Sequence, residues 1–279
     1  MTELIRLQKG DVHARVNPVN GQLVGLSLEG TEYLHDGRVD SYDGKGWKNS
    51  EIVPYPIFGP AQNQKVIVGG RTFNLEQHGI SRYLGFKVIR REGGLISLMQ
   101  IYDGRKVINP KHKQGNEHPE NLTWLPYQLE KNFELTEDGL VCKLTITNKS
   151  NIEMPYMIGW HPAFRTIGEI EEGLFFDSNR IIASLEGVIN ISSIPPEEAL
   201  TIEGINSVEY RNKERGVRVS SEDFGNVMLW SPGREEGMFC IEHTSQLPLT
   251  KGVHFKKPEN FERLNPDETK TYEIKITLL

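Results

Sequence analysis

Apolar and polar residues alternate with a period of two along most of this chain, and turn-forming residues interrupt the pattern about every ten positions. No segment sustains an apolar repeat of about 3.6 residues over the length of a helix. The 27 glycines and 15 prolines supply the punctuation. Strands are expected at Val12–Val16, Gln22–Leu28, Gly30–Leu34, Lys65–Val68, Arg71–Asn74, Gly85–Arg90, Leu95–Tyr102, Tyr127–Leu135, Gly139–Asn148 and Glu153–Gly159. Later ones are expected at Arg180–Ser184, Val208–Arg211, Val217–Ser221, Asn226–Ser231, Gly237–His243 and Thr271–Leu278. Many short strands at such spacing imply an all-β sandwich or barrel. Neither a composition shift nor an internal repeat divides the chain, so residues 1–279 are expected to form one domain. Two stretches read as loops, Asp36–Trp47 and the polar, proline-punctuated Asn109–Asn121.

Composition removes several function classes. A net charge of −6 argues against a nucleic-acid surface. No run approaches the ~18 apolar residues of a membrane span. The N-terminal residues lack the sections of a signal peptide, and a cytoplasmic location is expected. The two cysteines, Cys142 and Cys240, lie far apart in apolar strand-like runs and are expected to be buried free thiols. There is no dinucleotide or phosphate-binding glycine loop, no nucleophile elbow and no HExxH. His112, Glu117 and His118 match no zinc spacing, so neither a metal nor a cofactor is expected.

Four groups carry chemistry. Gly159-Trp160-His161-Pro162-Ala163-Phe164 sets an imidazole at an expected strand end between two aromatic residues. Histidine titrates nearest neutrality and can donate or accept a proton, although an isolated histidine is more often structural. Gln77-His78-Gly79-Ile80-Ser81-Arg82 packs an imidazole and a guanidinium around a glycine that permits unusual backbone angles; a polar turn would look the same. In Met238-Phe239-Cys240-Ile241-Glu242-His243, alternation sends Phe239, Ile241 and His243 to one face and Met238, Cys240 and Glu242 to the other. Glu242 would then be desolvated and its pKa raised, which suits a base. A glutamate at a solvent edge is the plainer reading. Last, Ile52–Asn63 is an irregular apolar segment whose Gln62 and Asn63 amides can hydrogen-bond hydroxyls.

Taken in order, these groups resemble the aldose 1-epimerase (galactose mutarotase-like) superfamily, in the form of its short bacterial branch. The resemblance runs over roughly residues 10 to 279. It begins with Asn20-Gly21-Gln22-Leu23 and Glu32-Tyr33-Leu34. It passes through Pro56-Ile57-Phe58-Gly59, the His78 and His161 segments and Leu144–Asn148, and closes with Cys240-Ile241-Glu242 and Leu264–Glu268. The resemblance implies a large antiparallel β-sandwich and an isomerase that interconverts the α and β anomers of a hexose. It implies His161 as general acid, Glu242 as general base, and His78, Arg82 and Asn63 as sugar contacts. Asp177 is a candidate for the family's hydroxyl-binding aspartate. Trp160 or Phe164, and also Tyr55 or Trp124, are candidates for an aromatic platform under the sugar.

Two departures stand out. The family's arginine after Gly59 is replaced by Pro60-Ala61-Gln62, and the Asn109–Asn121 excursion is longer than the usual connection. Alternatives therefore stay open. One is a hexose-6-phosphate 1-epimerase, with Arg82, Lys48, Arg105 and Lys106 as candidate phosphate contacts. Another is a non-catalytic sugar-binding module. A glycosidase or lyase of related fold would need a second well-placed carboxylate. The expected partner is a monosaccharide or sugar phosphate.

Overall fold

The computed structural model describes residues 3–35, 49–166, 173–184, 190–195, 198–212, 215–233, 237–249 and 251–279. The expected loop Asp36–Trp47 and the phosphate candidate Lys48 lie outside these residues. The helical turns among the described residues are 3-10 turns of three residues each, and the rest is strand and loop. None is long and apolar enough to cross a membrane.

Two sheets dominate. One has nine antiparallel strands in the order Arg180–Ser184, Leu174–Asp177, Ser207–Arg211, Gly216–Ser220, Thr269–Leu278, Gly139–Asn148, Tyr127–Leu135, Leu95–Tyr102 and Lys87–Glu92. The other has five, in the order Leu200–Glu203, Asn226–Trp230, Met238–Thr244, Gly159–Arg165 and Glu51–Ile52. A four-stranded meander, Ile5–Lys9, Val12–Val16, Leu23–Leu28 and Thr31–Glu32, adds a third. This is the large antiparallel sandwich that the resemblance implied, and one of the two architectures, sandwich or barrel, that the alternation left open. Tyr127–Leu135 buries every second residue along its whole length. Thr269–Leu278 turns Tyr272, Ile274, Ile276 and Leu278 inward, and burying each such side chain contributes about 1.5–3 kcal/mol. One contiguous apolar cluster runs from Leu7 to Leu278.

Several expected strands have the observed limits, among them Lys65–Val68, Leu95–Tyr102, Tyr127–Leu135 and Gly139–Asn148. Others were not anticipated. Ile5–Lys9, Leu174–Asp177 and Leu200–Glu203 bury little of themselves and exist mainly through backbone pairing with a neighbour. The expected strand Glu153–Gly159 divides into Met154–Tyr156 and Gly159–Arg165. His161 is consequently inside a strand rather than at the end of one.

One feature of the core is polar. Lys131 stands at an inward position of Tyr127–Leu135, 1% exposed, and its Nζ lies 2.6 Å from Glu51 Oε1. The Leu23 backbone N–H donates to the same oxygen, and the Trp160 indole N–H donates to Oε2 at 2.9 Å. The Phe86 and Phe133 rings flank the ammonium at 5.0 and 5.3 Å. Breaking a buried pair on one side leaves an uncompensated charge. Lys131→Met should therefore lower unfolding stability in urea by about 3–5 kcal/mol. The double variant Glu51→Leu/Lys131→Met should recover part of that loss. A single variant as stable as wild type would show that the pair is not charged.

Candidate active site

The strand Gly159–Arg165 pairs with Met238–Thr244 on one side and with Glu51–Ile52 on the other. Trp160 lies opposite His243 and Ala163 opposite Cys240, so the register sets His161 against Glu242. Side chains directly opposite in an antiparallel pair project to the same face. His161, Ala163, Cys240 and Glu242 thus share one face. Met228 and Trp230 join them, because Asn226–Trp230 pairs Met228 with Glu242 and Trp230 with Cys240. The opposite face carries Trp160, Phe164, Phe239, Ile241 and His243 into the core.

His161 Nε2 lies 3.3 Å from Glu242 Oε1, with both side chains at most 5% exposed. The sulfur of Cys240 stands beside them, and one donor atom from each of the three residues lies within 4.8 Å of the others. Aromatic rings frame the imidazole. Phe58 stacks on it at 6.4 Å, Trp230 meets it edge-on at 6.2 Å, and the His78 ring is 5.5 Å away and nearly perpendicular. Burial sets the proton affinities. It pushes the Glu242 carboxyl well above the usual range. Burial, then the Arg82 charge, lowers His161 to about 3. Cys240 is raised, first by burial and then by Glu242. Burial therefore favours the uncharged form of each group, a protonated Glu242 and a neutral His161 imidazole.

His78 reaches the site from a strained turn. It has φ 64°, uncommon for a residue with a side chain, and Gly79 follows at φ 74°. A Cβ on Gly79 would collide with the Tyr55 carbonyl. The Gly59 N–H donates to His78 Nδ1 at 3.3 Å, and the His78 N–H returns to the Gly59 carbonyl at 2.9 Å. An accepting Nδ1 leaves the ring proton on Nε2. Burial, then repulsion from His161 when that ring is protonated, then the Arg82 and Lys111 charges, hold His78 well below its ordinary pKa. Arg82, in the Ser81–Tyr83 turn, is therefore close enough to act electrostatically on both imidazoles.

The structure thus brings together His161, Glu242, His78 and Arg82. It does not bring the expected aromatic platform with them. Trp160 and Phe164 are fully buried on the core face, where Trp160 bonds Glu51 and Phe164 stacks on Phe239 at 5.7 Å. The reason is the period of two, which turns residues 160 and 164 away from 161. Tyr55 packs on Tyr127 and Trp124 on Phe73, both within the core. Phe58, Trp230 and Cys240 take the places around His161. The same alternation, applied to Asn226–Trp230, would have pointed to Trp230. Asn63 is exposed at φ 53° in the Gln62–Gln64 turn. Asp177 sits on a hairpin of the nine-stranded sheet, paired with Arg180 at 3.1 Å. None of the hydrogen bonds or ring contacts among the described residues ties Asn63 or Asp177 to His161.

The excursion 109–121 is closed at its base by the short ladder Val107–Ile108 with Asn121–Leu122. It is anchored on Glu76, two residues before His78. Glu76 accepts from Asn109 Nδ2 at 2.8 Å, meets His118 Nδ1 at 2.7 Å and pairs with Lys111 at 3.4 Å. His112 turns its Nδ1 to the His118 carbonyl at 2.7 Å. Cys142 and Cys240 are both buried free thiols, as the sequence implied.

No family model matches the sequence. The fold, however, is that of the galactose mutarotase-like sandwich. A galactose mutarotase-like protein from Lactobacillus casei ATCC 334 superposes with a TM-score of 0.76 at 18% identity, covering 99% of this chain and 100% of that one. A galactose mutarotase related enzyme from Lactobacillus acidophilus gives 0.74 at 16% identity, covering 99% and 97%. Among curated proteins, the chromosomal protein LacX of Lactococcus lactis subsp. lactis is 23% identical over 313 residues, with 99% of both chains covered.

Burial opposes the net fall in Glu76's pKa, which its Asn109 and His118 hydrogen bonds and the Lys111 charge produce. A depressed carboxylate stabilises the fold above its unfolded pKa of about 4.3 and loses that contribution as pH falls through the folded value. The melting temperature of Glu76→Gln should consequently fall less steeply than wild type between about pH 5 and about pH 3. Parallel slopes would mean that Glu76 does not hold the excursion electrostatically.

Proposed function

We propose that this protein is an aldose 1-epimerase-like isomerase that interconverts the α and β anomers of a hexose, working on free sugar in the cytoplasm. The observation that carries the reading is the 3.3 Å contact between His161 Nε2 and Glu242 Oε1 on adjacent strands, with His78 beside it. Opening a pyranose requires a base at the C1 hydroxyl and an acid at the ring oxygen. One proton passed from Glu242 to His161 converts the neutral pair into carboxylate and imidazolium. The carboxylate then takes the C1 hydroxyl proton while Nε2–H protonates the ring oxygen.

Ring opening returns both groups to their neutral forms. Rotation about C1–C2 presents the other carbonyl face, and closure runs the same transfers backwards. Net charge in the buried site never changes, which suits an environment that penalises every isolated charge. The Nε2–H of His78 is available to a sugar oxygen, and Arg82 favours partial negative charge near it. Phe58 and Trp230 offer the apolar walls that a sugar face needs.

Glu242→Gln and His161→Asn should each slow anomer exchange by about 10²- to 10⁴-fold, followed by polarimetry or NMR on a panel of hexoses. Wild-type rates in both variants would refute the assignment. A second reading, a hexose 6-phosphate substrate, is favoured by Arg82 and Lys111, whose positive charges both bear on His78. A rate on glucose 6-phosphate well above that on glucose would select it.

A further inference from the structure

The cluster around His161 offers more than an acid and a base. We infer that His161, Cys240 and Glu242 form a binding site for a thiophilic divalent cation, zinc foremost, and that the bound ion silences the acid/base pair. The silencing rests on the catalytic reading above; the binding does not.

The donor set is one nitrogen, one sulfur and one carboxylate oxygen, all from two paired strands. Cys240 and Glu242 are two residues apart on one strand and so project to the same face. Zinc holds such donors at about 2.0–2.3 Å, which places ligand atoms about 3.3–3.8 Å from one another. The His161–Glu242 separation of 3.3 Å already meets that requirement. The three donors spread over no more than 4.8 Å. Closing that spread takes about 1 Å, which the Cys240 side chain can supply by rotation.

Charge also fits. A thiolate and a carboxylate offset a dication, so the complex is neutral, and a neutral complex is the least costly to bury. Binding releases two protons to solvent, one from the Cys240 thiol and one from the Glu242–His161 pair, while Nε2 supplies its lone pair. The sulfur disfavours magnesium and calcium, which select oxygen donors, and favours zinc. With three protein ligands, a fourth position is left for water or a sugar hydroxyl. The ion would occupy the lone pair of Nε2 and the carboxylate oxygen, the two atoms between which the proton must move. The other candidate ligands, His112 and His118, point their Nδ1 atoms at protein acceptors in the 109–121 excursion.

Titrating cobalt(II) into the chelator-treated full chain tests the binding. Wild type should develop a saturable thiolate-to-cobalt charge-transfer band together with the visible bands of a low-coordinate site. Cys240→Ala should lose the charge-transfer band and bind at least ~10-fold more weakly, the smallest loss usual for perturbed metal sites. Cys142→Ala, altered at the other buried thiol, should keep both. Absence of the band in wild type, or an unchanged band in Cys240→Ala, overturns the site.

For the silencing, zinc should stop wild-type anomer exchange and a chelator should restore it. Cys240→Ala, compared with its own metal-free rate, should resist the same zinc concentration. Exchange that zinc leaves untouched in a cobalt-binding protein overturns the inhibition. A metal-free protein with no exchange on any sugar overturns both the inhibition and the acid/base reading, while the cobalt spectrum still decides the site.

Discussion

The buried contact between Lys131 and Glu51 joins the two principal sheets, and the geometry of the site depends on it. Lys131 comes from the nine-stranded sheet and Glu51 from the edge of the five-stranded one. A buried pair is tolerated only when its remaining bonding capacity is filled. Here the Leu23 N–H and the Trp160 indole fill it. The indole bond fixes the rotation of Trp160, and that fixes the strand on which His161 is the next residue. Glu51 also sits opposite Pro162, which cannot donate a ladder hydrogen bond. The carboxylate thus secures the strand where its backbone pairing is weakest.

The five-stranded sheet divides its faces by chemistry. On the core face the side chains are aromatic and aliphatic, apart from Glu51, held by Lys131 and Trp160, and His243, whose Nε2 lies 3.2 Å from the Val219 carbonyl. On the other face, three groups that can carry a proton are gathered without a permanent charge. Such a cluster would be expensive if any member were ionised alone. Neutrality at rest, a proton exchanged within the pair, and a dication balanced by two anions all respect the same constraint. The ways of using the site are limited to those that keep its total charge constant.

Period-two alternation made most of this fold legible, because long strands in a sandwich must bury every second residue. It placed Leu95–Tyr102 and Gly139–Asn148, and it separated the faces of Met238–Thr244 correctly. Trp160 and Phe164 flank His161 in sequence but not in space, because a strand turns them to the opposite face. Lys131 was legible in principle, since it occupies an inward register between Leu129 and Phe133. Its partner was not, because Glu51 lies 80 residues away on a two-residue strand. Weak edge strands such as Leu200–Glu203 were hidden for a related reason: their pairing comes from backbone bonds, which any sequence can make.

Glu76 explains how the chain carries a long polar excursion without loosening the site. A loop tolerates added length cheaply if its ends are held, since closure entropy grows only slowly with length. Here the ends are zipped at Val107–Ile108 and Asn121–Leu122. The interior is tied to a carboxylate that is itself 2% exposed. That carboxylate is two residues from His78, on a turn whose left-handed geometry continues through Gly79. The Glu76 carbonyl accepts from the Gly79 N–H at 2.9 Å, so backbone and side chain of one residue serve different partners. The backbone holds the turn that aims His78, and the side chain holds the excursion. The excursion can therefore change in length and composition while the position of His78 stays fixed, provided Glu76 and its Asn109 partner remain.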